Sequence, residues 1–288
     1  MSNPDAEPGA GAGPEPERGA GAGDPAGGRF PVRVPDGLLA GEAAGDGDPV
    51  VLIHGFSFDR AMWDPQFPEL ARAYRVIRYD LRGFGESGLP VANRDHVTDL
   101  LAVLDALGID RAHLAGLSLG ANIALAAAGL HPDRVRTITL ASPGLPGYPW
   151  RTPRPPEEAA AVARDAGIAA AKRWWLDHDI FRSAQCHPAA RAQLAAMVAR
   201  FPAHQWDAAV PAAPQLPSLT GFLPRLATPA LILGGALDAA GYRHIAAVLA
   251  KEIPNAERQE FAGCGHLLNL ERPAEFTGRL LNFLACSA

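Results

Sequence analysis

The stretch that most constrains this chain is Gly116-Leu117-Ser118-Leu119-Gly120, a Gly-x-Ser-x-Gly motif. A short apolar run, Ala112 to Ala115, precedes it and is long enough for a buried strand. Ala121-Asn122-Ile123-Ala124-Leu125-Ala126-Ala127-Ala128 follows, rich in strong helix formers. Strand, sharp turn and helix together give the motif its meaning, because a serine in such a turn holds its hydroxyl above the sheet edge. Gly116 and Gly120 lack a Cβ, so strand and helix can close on each other. The helix N-terminus turns free N–H groups and partial positive charge toward the place where an oxyanion would form.

The flanking pattern alternates strands and helices. Phe30–Val34 and Leu38–Ala43 flank the turn signal Pro35-Asp36-Gly37 and predict a hairpin. Pro49–Ile53 is a continuous apolar run, as in a central strand covered on both faces. It runs into His54-Gly55-Phe56-Ser57-Phe58, where glycine permits a turn at the carboxyl end of the sheet. Helical spacing over Met62–Arg72, a strand over Tyr74–Tyr79 and a glycine-punctuated loop at residues 80–88 come next. His96–Leu107 carries one apolar helix face, and Val135–Leu140 is a strand. From 143 to 227 the strand pattern stops: prolines crowd both ends, and two helical runs lie near Glu157–Asp177 and Pro188–Phe201. Strand and helix then alternate again, at 230–233, Tyr242–Lys251, Ala256–Phe261 and Pro273–Leu284. The expected fold is α/β, a mostly parallel central sheet with helices on both faces. Its core is built from residues 29–142 and 228–288, and 143–227 form a helical cap insertion. Residues 1–28 hold almost no large apolar side chain, so a disordered tail is expected there.

Charge and cysteine content narrow the function. The formal net charge is −5. Most of it sits in the tail, where Asp5, Glu7, Glu15, Glu17 and Asp24 oppose Arg18. The near-neutral remainder offers no electrostatic case for nucleic acid or an anionic membrane. Cys186, Cys264 and Cys286 lie far apart, without metal-ligand spacing. Asp177-His178-Asp179 reads as a surface turn rather than a metal site. No apolar run reaches membrane-spanning length and no secretory leader pattern is present. The expectation is a cytoplasmic protein acting on a small molecule, with no metal and no cofactor. Its oligomeric state is open.

A serine hydroxyl needs a base to take its proton, and the base needs a group that orients it. Of nine histidines, His266 stands apart: glycine precedes it, and it lies between the last strand and the last helix. The other eight fall in or beside periodic strands and helices, in the insertion, at a helix end or at the 54–58 turn. The candidate acid is Asp238 in Gly234-Gly235-Ala236-Leu237-Asp238, just past a buried strand. The order Ser118, Asp238, His266 is the one expected on a doubly wound sheet with this serine turn.

These residues together resemble the α/β-hydrolase superfamily from about residue 30 onward. The resemblance rests on His54-Gly55-Phe56, the 80–87 segment Asp80-Leu81-Arg82-Gly83-Phe84-Gly85-Glu86-Ser87, the serine motif, Gly235-Ala236-Leu237-Asp238 and Gly265-His266. Within it the chain looks most like the compact capped esterases, enol-lactonases and cofactor-free perhydrolases. The resemblance implies an oxyanion hole from the backbone N–H groups of Phe56 and Leu119, and structural roles for Asp80 and Arg82. Serine at position 118, where related dehalogenases and epoxide hydrolases carry aspartate, disfavours those activities.

The function expected is cleavage of a carboxylic ester or lactone of a small, largely apolar molecule through an acyl-enzyme. The same triad could instead serve a perhydrolase, a carbon–carbon bond hydrolase, an acyltransferase or a biosynthetic cyclase. A ligand-binding receptor on a hydrolase scaffold is a further alternative. Candidate pocket residues are Phe58, Trp174, Trp175, Phe181, Trp206, Phe222 and Leu267.

Overall fold

A computed structural model describes residues 28–34, 37–89, 95–150, 153–210 and 214–287. The expectation of a disordered tail therefore lies outside the described residues but for Gly28, and so do Pro35 and Asp36 of the predicted turn. Eight strands form one sheet: β1 (Gly28–Val34), β2 (Gly37–Ala44), β3 (Pro49–Ile53), β4 (Arg75–Tyr79), β5 (Ala112–Leu117), β6 (Val135–Ala141), β7 (Ala230–Gly235) and β8 (Ala256–Phe261). Their spatial order is β1-β2-β4-β3-β5-β6-β7-β8. The β1–β2 hairpin adds antiparallel to β4, and every pairing from β4 to β8 is parallel. β5 and β7 are buried along their whole length, and apart from His113 on β5 their residues are apolar or glycine. The edge strand β8 carries Glu257, Arg258, Gln259 and Glu260, which guard it against pairing with another chain.

Ten α-helical segments complete the described residues: α1 (Phe67–Leu70), α2 (His96–Ala106), α3 (Leu119–Leu130), α4 (Pro155–Ala166), α5 (Ile168–Leu176), α6 (Arg182–Gln185), α7 (Pro188–Arg200), α8 (Ala240–Glu252), α9 (Leu268–Glu271) and α10 (Pro273–Cys286). α2 starts where the Asp95 carboxylate accepts the Thr98 N–H at 2.8 Å. α3 packs on β5 and β6 through a buried, alanine-rich surface. Between β6 and β7 the described residues form helices α4 to α7 and short 3-10 turns, with no strand.

Two helical runs differ from the sequence expectation. The Met62–Arg72 run divides into a 3-10 turn, Arg60–Trp63, and the short α1. Pro65 and Pro68 lack the N–H groups that one continuous helix would need there. The Glu157–Asp177 run breaks at Gly167, whose φ of 86° no helix accommodates, so α4 and α5 meet at an angle. No described helix is long and apolar enough to cross a membrane.

The register brings the functional loops to one edge. Ile53 on β3 lies beside Gly116 on β5, so the chain leaves both strands at the same level. The segments after β3, β5, β7 and β8 therefore gather at the carboxyl end of the sheet, where open α/β sheets place their ligands.

Candidate active site

Ser118 sits between β5 and α3 with φ 55° and ψ −109°, a backbone conformation that costs a non-glycine residue about 1–3 kcal/mol. The surroundings hold it there. Its N–H donates to the Ala141 carbonyl at 2.9 Å, and its carbonyl accepts the Asn122 N–H at 3.1 Å. A Cβ on Gly116 would fall 2.2 Å from the Gly120 backbone, and one on Gly120 would fall 2.1 Å from the Ile53 carbonyl oxygen. Both glycines are thus demanded by backbone contact.

Asp238 follows β7, and its loop is tied to the segment after β8. The Ala236 N–H donates to the Phe261 carbonyl at 3.1 Å, and the Leu237 N–H to the Cys264 carbonyl at 2.8 Å. Both carboxylate oxygens of Asp238 lie 3.0 Å from Nδ1 of His266, and both side chains are almost wholly buried. Asp238 also accepts the Ala239 N–H at 2.7 Å. Gly235 allows the two loops to touch, since a Cβ there would meet the Gly265 carbonyl oxygen at 2.1 Å.

His266 is steadied by Glu271, a buried residue of the α9 turn. The Glu271 carboxylate accepts the Gly265 N–H at 2.8 Å and the Leu267 N–H at 3.1 Å, the amides on either side of the histidine. The Ser183 hydroxyl of α6 donates to the same carboxylate.

His54 and Asp80 organise the neighbouring loops. His54 Nε2 accepts the Leu81 N–H at 2.9 Å. Burial drives the His54 pKa down, against the opposing pull of the Asp80 charge. Asp80 accepts the N–H groups of Arg60 at 2.7 Å and Glu86 at 2.9 Å, and pairs with the Arg60 guanidinium. Arg82 makes a fully buried, two-pronged pair with Asp99 at 2.8 Å for each bond. His178 is engaged locally: its Nδ1 accepts the Ile180 N–H at 3.1 Å. Among the described residues there is no group of three or more His, Cys, Asp or Glu suited to a metal ion.

A cavity of about 1680 Å³ opens at this edge. Ser118, Phe56 and Leu119 line it, with Trp150, Trp206 and Tyr242 among the others. Leu119 is the first residue of α3, so its N–H belongs to the first-turn donors that have no partner within the helix.

Of the seven pocket residues expected from sequence, Trp206 lines the cavity and the other six do not. Phe58 and Phe181 pack together in the core with ring centroids 6.1 Å apart. Trp175 is buried and donates its indole N–H to the Ser57 hydroxyl at 2.7 Å. Leu267 is wholly buried, Trp174 packs on His178 at 4.9 Å, and the Phe222 ring covers Gly129. Trp175, Phe181 and Phe222 join the helical segment between β6 and β7 to the rest of the fold through Ser57, Phe58 and Gly129, and aromatic surface is most stabilising where water is excluded. Phe56 bridges the two regions, its ring 5.6–6.0 Å from Phe84, Trp175, Phe201 and Trp206.

Tyr242, which the sequence reading assigned only to the start of a helix, stands at the centre of the site. Its ring lies 4.5 Å from that of His266, and it lines the cavity together with Ser118. Its position four residues after Asp238, in the first turn of α8, was the available signal.

An eight-stranded, mostly parallel sheet with a strained serine turn and a buried Asp–His pair at one edge defines an α/β-hydrolase. The family model for the alpha/beta hydrolase fold matches residues 48–273, and the chain belongs to that family. It is 33% identical over 260 residues to a dihydrolipoyllysine-residue acetyltransferase component of an acetoin cleaving system from Pseudomonas putida, covering 85% of this chain and 65% of that protein. The chain thus spans about two thirds of that relative's length. It is 32% identical over 262 residues to a 2-hydroxymuconate semialdehyde hydrolase from Pseudomonas sp. (strain CF600), covering 84% of this chain and 88% of that one. Among solved structures it resembles the enol-lactonase from Burkholderia xenovorans LB400, with a TM-score of 0.76 and 26% identity over 89% of this chain and all of that one. The chain is an enzyme of this family, similar to its esterases and lactonases.

Proposed function

We propose that the enzyme hydrolyses a carboxylic ester or lactone of a largely apolar molecule, with Ser118, His266 and Asp238 as its catalytic triad. The observation that carries this reading is the Asp238 carboxylate, both oxygens 3.0 Å from His266 Nδ1, at the sheet edge where Ser118 opens into the cavity. Asp238 orients the imidazole and stabilises its charged form. His266 takes the proton of Ser118, and Oγ attacks the carbonyl carbon. The N–H groups of Phe56 and Leu119 hold the oxyanion, each worth about 3 kcal/mol in comparable sites. The protonated His266 gives its proton to the departing alkoxide, and water then cleaves the acyl-enzyme by the same route.

The insertion at 143–227 acts as a cap in this reading. Trp150, Ala160 and Trp206 from it line the cavity together with Phe56, Ser118 and Leu119. The cavity exceeds the ~300–1,000 Å³ usual for ligand pockets, so acyl or alcohol groups with an aromatic ring fit as well as short ones. The test is a panel of aryl and alkyl esters and lactones, given to the wild type and Ser118→Ala. Turnover that disappears in Ser118→Ala while the fold survives supports the mechanism, and turnover retained in pure Ser118→Ala refutes it.

The 32% identity to the 2-hydroxymuconate semialdehyde hydrolase favours a second reading, hydrolysis of a carbon–carbon bond by the same residues. Turnover of 2-hydroxymuconate semialdehyde with inert esters would select it.

A further inference from the structure

Trp175, on α5 of the 143–227 insertion, reaches the loop that follows β3. Its indole N–H donates to the Ser57 hydroxyl at 2.7 Å, and both side chains are buried. Its ring also lies 5.8 Å from that of Phe56, edge to face. One side chain thus holds two consecutive residues of the loop whose Phe56 N–H is a proposed oxyanion donor. The turn itself is weakly closed. Ser57 has φ 66°, a left-handed conformation that a residue with a Cβ keeps only when its surroundings enforce it. The bond across the turn, from the Phe58 N–H to the Gly55 carbonyl, is 3.4 Å, long for its kind. The flanks are fixed by other groups. His54 Nε2 accepts the Leu81 N–H, so the ring hydrogen is on Nδ1, which donates to the Gly55 carbonyl at 2.8 Å. The Asp59 carboxylate accepts the Ala61 N–H at 3.0 Å and the Arg200 guanidinium at 2.8 Å. Between these anchors, the Trp175 bond reaches Ser57.

We propose that Trp175 is a positioning residue: through the Ser57 hydroxyl it sets the direction of the Phe56 N–H, and with it the strength of the oxyanion hole. This rests on the serine-hydrolase reading above. Ser57 follows Phe56 directly, so a rotation of the backbone at Ser57 is carried into the Phe56 amide. A hydrogen bond weakens steeply as its angle closes. A small rotation therefore weakens the hold on the full negative charge of the transition state. It has little effect on the bound ester, whose carbonyl oxygen carries only partial charge. Trp175 does not line the cavity, so it acts through Ser57 and not on the substrate. In this way the insertion contributes to the chemistry as well as to the walls of the cavity.

The experiment compares wild type, Trp175→Phe, Ser57→Ala and the double variant, with 4-nitrophenyl acetate as substrate and 2,2,2-trifluoroacetophenone as inhibitor. Addition of Ser118 Oγ to the ketone carbon sends the serine proton to His266 and leaves the negative oxygen in the oxyanion hole. The inhibition constant therefore reads that hole. Trp175→Phe is expected to lower kcat/KM about tenfold or more and to raise the inhibition constant by the same factor. Ser57→Ala is expected to do the same, and the double variant to lose little beyond either single one. Ala171→Gly, one turn earlier on α5, weakens the same helix without touching the Ser57 bond. Its two constants are expected to stay within about twofold of wild type. Unchanged constants in Trp175→Phe, a fall in kcat/KM with the inhibition constant unmoved, losses that add in the double variant, or an equal loss in Ala171→Gly would each overturn the proposal. If Trp175→Phe misfolds, 3-benzothienylalanine at position 175 replaces it, keeping the ring shape without the N–H. Unchanged kcat/KM there would also overturn the proposal. A wild type that neither turns over the ester nor reacts with a fluorophosphonate would overturn the hydrolase reading and this proposal with it. Turnover that requires Ser118 but is indifferent to loss of the indole N–H would overturn this proposal alone.

Discussion

The Glu271 carboxylate accepts the Gly265 N–H at 2.8 Å and so fixes the chain one residue before His266. The same carboxylate takes the Leu267 N–H and the Ser183 hydroxyl. A buried anion satisfied by three donors is a firm anchor, and neutralising it leaves at least one donor facing another N–H. Glu271→Gln is expected to destabilise the fold by about 1–3 kcal/mol. Under the proposed mechanism its kcat falls about tenfold or more as the imidazole loses its alignment, while KM changes little. Denaturant titration and steady-state kinetics on one preparation check both parts.

Asp238 faces His266 with both oxygens, so the amide of Asp238→Asn would turn an N–H toward Nδ1 and select the wrong tautomer. The expected outcome is a loss of about 10³- to 10⁴-fold in kcat with little change in thermal stability. A loss below tenfold would show that another carboxylate orients the base.

Gly120 has no room for a methyl group, because its Cβ would meet backbone atoms of Ile53 and His54 within 3 Å. Backbone cannot yield as a flexible side chain can. Gly120→Ala is expected to cost about 3 kcal/mol or more, read as a lowered guanidinium midpoint at unchanged slope.

Stability is expected to fall with acid through His113. This ring is buried on β5, with Nδ1 2.8 Å from the Thr137 hydroxyl. Burial, helped by the Arg136 charge, lowers its pKa to about 4. The neutral form is thus the folded form, and the unfolded chain binds a proton first. Stability from this group is complete above the ordinary histidine range and is lost as pH falls from there toward 4. The loss amounts to at most about 1.4 kcal/mol per pH unit within that window. Unfolding midpoints measured from pH 7 to 4.5 should fall less steeply in His113→Gln than in the wild type.

Local chemistry made much of this protein legible. The Gly-x-Ser-x-Gly turn, the unbroken apolar runs of β3 and β7, and the periodicity of α2, α8 and α10 follow rules that act within a few residues. So the sheet and the edge carrying Ser118, Asp238 and His266 could be read directly. The pocket could not. Trp174, Trp175 and Trp206 are equally apolar in sequence, yet Trp206 alone lines the cavity, because Trp175 turns its indole toward Ser57 and Trp174 packs on His178.

By itself, then, the amino-acid order determined the αβ alternation, the serine turn and the order of the three candidate catalytic groups, all consequences of short-range sterics and hydrophobic spacing. Only the tertiary structure decided that the Tyr242 ring packs on His266, that the Ser183 hydroxyl reaches the Glu271 carboxylate and that a large cavity opens beside Ser118. Those contacts join residues far apart in the chain. Their geometry depends on how helices seat on the sheet, and no periodicity within one segment carries that information.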